Sequence, residues 1–289
     1  MIRPIRSAAA LAAVLLTGCA APLGPGTAPA ARLHEEVVRV PGPGDRTLVA
    51  TWYKPAGGGP FPLIVLSHGS PPDPAARPAM DRNRILTPIG ALVARGYAVL
   101  VPMRRGFGAT GGAFAEGYGT CANPDYLRAG NEAAKDILAA MAYGQAQGFV
   151  QRDTVLLVGQ SLGGYASIAA ASRQPRGLVA VINFSGGNGG RPATTPGDPC
   201  RPERLGQAFA AWGASVRVPV LWHYVENDQF FAPRHVQSWY EAFTRAGGTG
   251  RLVMQPPYGR DGHGVFPSTG GVHIWAPAFD RFVADFGIR

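Results

Sequence analysis

Thr154-Val155-Leu156-Leu157-Val158-Gly159-Gln160-Ser161-Leu162-Gly163 joins a short apolar run to a small-residue stretch, Tyr165 to Ser172. The run is unbroken and rich in Val and Leu, as a strand buried on both faces should be. The Ala-rich stretch after it reads as a helix. Between them, G-x-S-x-G marks a sharp strand-to-helix turn whose central Ser sits in strained φ/ψ. Gly two positions to either side lets the strand and helix close on each other. The turn lifts the Ser161 hydroxyl clear of the sheet and aims it at the first turn of the helix. Free N–H groups and the positive end of the helix dipole there favour a developing oxyanion. In a chain with 40 Gly the five-residue pattern alone is weak. The strand before it and the helix after it give it meaning.

Outward from this point, strands and helices alternate. Val37 to Val40 and Thr47 to Tyr53 read as early strands, joined by the turn at Gly42-Pro43-Gly44-Asp45. Phe61 to Ser67, Tyr97 to Val101, Leu178 to Phe184, Val218 to Tyr224 and Arg251 to Gln255 are further strands. Helices are predicted from about Arg82 to Arg95, Asn131 to Gln147, Glu203 to Ser215, Val236 to Ala246 and Ile274 to Phe286. Such alternation implies an α/β fold: a mostly parallel sheet of about eight strands, covered by helices on both faces. Ligands then bind beyond the carboxyl ends of the strands.

A serine hydroxyl needs a base within hydrogen-bond reach, itself oriented by an acid. Glu226-Asn227-Asp228 follows the strand Val218 to Tyr224 at its carboxyl end, and Asp228 is the expected acid. Glu226 lies closer to the strand body, Asp198 is a remoter choice, and Asp228 has an alternative role capping the helix near Pro233. After Asp228 the chain offers His235, His263 and His273. His263 lies in Gly259-Arg260-Asp261-Gly262-His263-Gly264, after the last strand, where a Gly-flanked imidazole can swing over Ser161. His235 and His273 belong to helices and read as packing residues. A neutral imidazole is required, so activity should rise from mildly acidic to neutral pH. The oxyanion donors are expected to be the N–H of Leu162 and that of Ser70 or Gly69, in Ser67-His68-Gly69-Ser70. His68 reads as shaping that loop.

These residues carry a resemblance. Ser67-His68-Gly69, Arg105-Gly106-Phe107-Gly108, Gly159 to Gly163, Asn227-Asp228 and Gly262-His263-Gly264 make residues 34–289 similar to a serine-nucleophile α/β-hydrolase. The likeness is nearest the dienelactone-hydrolase-like and prolyl-oligopeptidase-like branch. True dienelactone hydrolases use a Cys nucleophile, so Ser161 argues against inheriting their lactone substrate. Arg104-Arg105-Gly106-Phe107-Gly108-Ala109-Thr110 resembles the Arg-Gly-x-Gly-x-Ser loop of the superfamily, with Thr110 in the Ser position. The resemblance implies a structural role for Arg105. Arg104, Phe107 and Phe230 are candidates for the substrate pocket, with Phe114, Tyr118 and Phe231 as further walls. About thirty residues separate Phe184 from Val218, room for only a short lid and hence an open mouth.

Residues 1–18 have the form of an export signal: Arg3 and Arg6, an apolar core from Ser7 to Thr17, then Leu16-Thr17-Gly18-Cys19. That ending resembles the lipobox of bacterial lipoproteins, which implies a lipid on Cys19 and a place in the cell envelope facing the periplasm, at the outer membrane. The alternative is an ordinary secretory signal cleaved near Ala20-Ala21. Residues 19–33, rich in Ala, Pro and Gly, read as a flexible tether. Cys121 and Cys200 are then the remaining pair, either bonded in an oxidising compartment or left as buried thiols. A bond would staple the entrance loops and contribute on the order of 3–4 kcal/mol.

The formal charge of +9 falls to +7 without Arg3 and Arg6, and Arg104-Arg105 is the sole basic doublet. A nucleic-acid binder gathers its charge on one stripe with aromatics interleaved, and nothing here does so. No metal-ligand spacing or cofactor motif is visible. The expected partner is a small ester; oligomeric state is not legible. Three functions compete: a carboxylic-ester hydrolase, a peptidase or amidase with the same triad, and a non-catalytic envelope binding protein.

Overall fold

A computed structural model describes residues 33–288. The expected export signal, Cys19 and nearly all of the expected tether lie outside the described residues. The chain runs β1 (Glu35–Pro41), β2 (Thr47–Tyr53), β3 (Phe61–Ser67), α1 (Leu86–Ala94), β4 (Ala98–Pro102), α2 (Tyr126–Gln145), β5 (Val150–Gln160) and α3 (Leu162–Ala171). It continues through β6 (Leu178–Phe184), α4 (Pro202–Gly213), β7 (Val220–Val225), α5 (Pro233–Arg245), β8 (Gly250–Gln255) and α6 (Val272–Asp285). The eight strands form one sheet in the order β1-β2-β4-β3-β5-β6-β7-β8. β1 and β2 are antiparallel to their neighbours, and β4, β3, β5, β6, β7 and β8 are parallel.

The period-2 alternation of a strand sorts the apolar runs onto two faces. Leu63, Val65, Val155 and Leu157 face one core with α2, α3, α4 and α5, where Phe209, Trp212, Trp222 and Trp239 gather. Ile64, Leu66, Leu156 and Val158 face the other, filled by Ile89 and Leu92 of α1 and by Trp275, Phe279 and Phe282 of α6. Both faces of the central strands are dry, which is why their sequences show no polar alternation.

Helix starts depart most from the sequence reading. α2 begins at Tyr126, five residues before the predicted Asn131, because the Asp125 side chain accepts from Arg128 N–H and caps it. Gly130 broke the apparent helix pattern, yet a Cβ there would stand 2.5 Å from the Trp212 ring. α1 starts at Leu86 because Arg82 and Arg84 instead bind Glu35 beside β1. Among the described residues no large cap covers the sheet's carboxyl end. The short excursion after β6 consists of loop 185–201 and α4, and α4 packs on α5 and α2.

Candidate active site

Ser161 follows the last residue of β5 and precedes α3, with φ +56° and ψ −124°. This left-handed conformation is costly for any residue with a Cβ and persists only where surroundings impose it. They do. A Cβ at Gly159 would lie 2.2 Å from Gly163 O, and one at Gly163 would lie 2.1 Å from Ser67 O. Strand, helix and the end of β3 therefore meet too closely for any side chain at those two positions. The Ser161 carbonyl is held by N–H donors of Gly164, Tyr165 and Gly187.

Asp228 sits in the loop after β7, fully buried as a side chain, and both its oxygens face His263 Nδ1, at 3.1 and 3.0 Å. Oδ1 also accepts from the N–H groups of Phe230 and Phe231, at 2.8 and 3.0 Å. Four contacts fix the carboxylate. His263 stands on a single 3-10 turn, Gly262–Gly264, after β8. With Nδ1 directed at the acid, Nε2 is left to accept a proton. Phe230 stacks on the imidazole at 4.0 Å between centroids, and Phe231 meets it edge-on. Gln160, next to Ser161, donates to His263 O at 3.3 Å. Among the described residues no hydrogen bond joins His263 to the Ser161 hydroxyl. The sheet places Ser161, Asp228 and His263 on loops that leave the carboxyl ends of three of its parallel strands, β5, β7 and β8.

The loop after β3 approaches from the other side. A Cβ on Gly69 would lie 3.1 Å from Ser161 Cβ. Ser70, Ser161 and Leu162 line one cavity of about 390 Å³. His68 is fully buried; Nδ1–H donates to Gly69 O at 2.7 Å and Nε2 accepts from Arg104 N–H at 3.3 Å. Burial, with the nearby Arg104 charge, holds its pKa well below the ordinary imidazole value. It is a neutral strut for the loop, with neither nitrogen free.

Two pocket expectations need correction. Arg104 is completely buried and forms a two-pronged pair with Glu116, one prong at 3.1 Å, while Nη1 donates to His68 O at 2.9 Å. The carboxylate it meets belongs to this chain, so it ties the loop after β4 to the loop after β3 and has no face toward a ligand. Phe107 is also buried, packed edge-on against His68 and Phe114. Phe230 does line the cavity, as do Phe114, Tyr118 and Phe231. Arg105 reaches Asp136 of α2 at 2.7 Å and the Glu132 carbonyl at 2.9 Å. Cys121 and Cys200 form a disulfide, with Cα atoms 5.0 Å apart. It joins the segment after Tyr118–Gly119 to the end of loop 185–201, both of which wall the cavity. His235 is bound by Asp198 at 2.7 Å, and His273 lies in the first turn of α6.

Sequence reasoning missed the residue that aims the base. Asp261 Oδ1 accepts from His263 N–H at 2.9 Å and from Gln229 N–H at 3.0 Å, clamping the two loops together. An Asp two residues before the His, in a Gly-rich loop, is the signature of such a turn. Among the described residues no group of three or more His, Cys, Asp or Glu is placed to hold a metal ion, and no helix is long and apolar enough to cross a membrane.

This topology, with a strained Ser between β5 and α3, is that of the α/β-hydrolases. Residues 87–186, from α1 past β6 and including Ser161, match the model of the prolyl oligopeptidase family. Among solved structures, the chain is similar to a Pyrococcus furiosus esterase, Pf2001, at 15% identity and TM-score 0.61, covering 88% of this chain and 93% of that one. It is similar to a dienelactone hydrolase candidate from Klebsiella pneumoniae at 16% identity and TM-score 0.58, over 89% and 99%. It is also similar to the Pyrococcus horikoshii acylaminoacyl peptidase at 16% identity and TM-score 0.60, over 87% of this chain but 41% of that one. The chain thus spans about two-fifths of the peptidase's length. A comparison with curated protein sequences finds no match.

Proposed function

We propose that the protein is a serine hydrolase that cleaves carboxylic esters through an acyl-enzyme, with Ser161 as nucleophile, His263 as base and Asp228 as its orienting acid. The observation that carries this reading is the left-handed Ser161, forced up between β5 and α3 next to Gln160, which bonds the carbonyl of a histidine gripped by a buried carboxylate. Ser161 Oγ attacks the ester carbonyl as His263 Nε2 takes its proton. The tetrahedral oxyanion rests on the N–H groups of Leu162 and of Ser70 or Gly69, each typically worth about 3 kcal/mol. Collapse expels the alcohol, which leaves with the proton from His263, and Ser161 holds the acyl group. Water, deprotonated by the same imidazole, then releases the acid.

The prolyl oligopeptidase match and the acylaminoacyl peptidase likeness support a second reading, hydrolysis of a peptide or amide bond by the same residues. A shallow cavity of about 390 Å³ without a cap suits small or medium esters and supports the first. Turnover of paired ester and aminoacyl-amide substrates separates them, with the ester expected to be faster. A fluorophosphonate probe should label wild type and leave Ser161→Ala unlabelled; labelling that survives the substitution would remove this mechanism. We also propose that Cys19 is lipidated and holds the enzyme in the cell envelope, an oxidising setting that suits a Cys121–Cys200 bond. The mass of the mature N-terminal peptide tests this, a diacylated Cys19 being expected.

A further inference from the structure

The cavity at Ser161 offers hydrogen-bond donors and positive charge, and no acid. Arg77 enters it from the loop after β3 and Arg191 from the loop after β6, while no Asp or Glu lines it. Of the arginines in the loop after β4, Arg104 is matched by Glu116 and Arg105 by Asp136. Neither Arg77 nor Arg191 has a carboxylate within salt-bridge distance among the described residues. Arg77 donates from Nε to Ser70 Oγ at 3.0 Å and lies 3.9 Å over the Phe114 ring. Its remaining guanidinium nitrogens are the ones with hydrogen-bonding capacity to spare. Burial lowers its pKa from the ordinary arginine value, the mark of a cation that has lost water.

A third group points the same way. Asn188 is only 9% exposed and lines the cavity. Its Oδ1 accepts from Gly189 N–H at 2.8 Å, and its Nδ2 is buried without a partner. A bound acceptor supplies the partner that this buried donor lacks. Two guanidinium groups and one amide donor around one cavity with no carboxylate in its lining favour an oxyanion.

We propose that the substrate carries a second anionic oxygen group beside the bond to be cleaved, and that Arg77, Arg191 and Asn188 hold it. This deepens the serine-hydrolase reading and rests on it. The loop that supplies Asn188 and Arg191 is joined to the loop that supplies Tyr118 by Cys121–Cys200, which holds that wall of the cavity. The substrate class is then a half-ester of a dicarboxylic acid, or an ester whose alcohol bears a carboxylate.

Both sources are testable. Mono(4-nitrophenyl) glutarate is compared with its neutral isostere 4-nitrophenyl 5-methylhexanoate, and 4-(carboxymethyl)phenyl butyrate with its carboxamide. One arm should favour the anion at least about tenfold in kcat/KM, mostly through KM, the size of one charge-assisted hydrogen bond. The preference should shrink as salt rises. Arg191→Gln and Arg77→Gln should each lower the anion-to-neutral ratio about fivefold or more, and Arg191→Glu should bring it below one. A ratio near one in both arms, with neutral esters still turned over, overturns the anion site and leaves the serine mechanism intact. Turnover that persists in Ser161→Ala overturns the mechanism instead. Glutarate titrated into Ser161→Ala gives a readout that needs no catalysis. Binding weakened at least about fivefold by Arg191→Gln supports the site, and no binding, or binding indifferent to that change, rejects it.

Discussion

Two histidine–aspartate pairs occupy this molecule, and the tighter one is not at the nucleophile. Asp198 holds His235 Nε2 at 2.7 Å, whereas Asp228 holds His263 Nδ1 at 3.0 Å. Asp198 is half exposed and shared with Arg234 at the junction of loop 185–201 and α5. Its pKa is lowered, first by the hydrogen bond to His235 and then by that from Arg234. Asp228 is buried, satisfied by two backbone N–H groups, and bonds the inner ring nitrogen. That choice leaves Nε2 of His263 without a hydrogen bond among the described residues, whereas His235 uses its Nε2 to bind its own acid. Distance alone does not tell the two pairs apart. The nitrogen used, and the strand end it hangs from, do.

The sharpest break of this comparison is Ser161→Ala, which should lower kcat by at least about 10⁴-fold on any ester the wild type cleaves. Asp228→Asn should cost about 10³–10⁴-fold, because an amide can hold the wrong tautomer of His263. Asp198→Asn should change kcat by less than about threefold, as a partly exposed ion pair away from the reacting atoms. Equal losses from the two Asp→Asn changes would show that the pairs had been assigned wrongly. Steady-state kinetics on 4-nitrophenyl esters, with circular dichroism to verify folding, reads all three.

The next effect is on stability and concerns arginine. Glu116→Gln leaves Arg104 charged and buried without its anion, which typically costs 3–5 kcal/mol, so about that loss is expected in urea unfolding. Replacing both residues with Met should recover much of it. Arg104 also marks where sequence reading stops. Its partner lies twelve residues away across a Gly-rich loop, and no periodicity relates loop positions. The strands were legible because burial on both faces leaves an unbroken apolar run, and Ser161 because glycine is the only residue that fits beside it. Asp228 and His263 followed from chain order at strand ends. The direction of loop side chains did not follow: Phe107 points into the core and Phe230 into the cavity, from equally apolar sequence. Asp261 was in view within its loop, but its role depends on Gln229, which arrives from a different strand end.

A third kind of histidine bears on stability in acid. His223 on β7 is fully buried, packed edge-on against Phe184, with Gln255 Nε2 at 3.3 Å from its Nε2 and no partner for Nδ1. Burial pushes its pKa from the ordinary imidazole value down to about 4. The folded chain therefore stays neutral at His223 while the unfolded chain takes up a proton near pH 6.5, and acid favours unfolding. Its stability contribution is complete above about pH 6.5 and is lost as pH falls toward about 4. At pH 4.5 the loss should approach about 3 kcal/mol. His68 adds to it in the same direction, since its folded pKa is lowered as well. Urea midpoints measured at pH 7 and 4.5 should thus separate less in His223→Gln than in wild type. An unchanged separation would mean that this imidazole is already protonated in the fold. It would then be charged beside Phe184 without the buried carboxylate that His263 has.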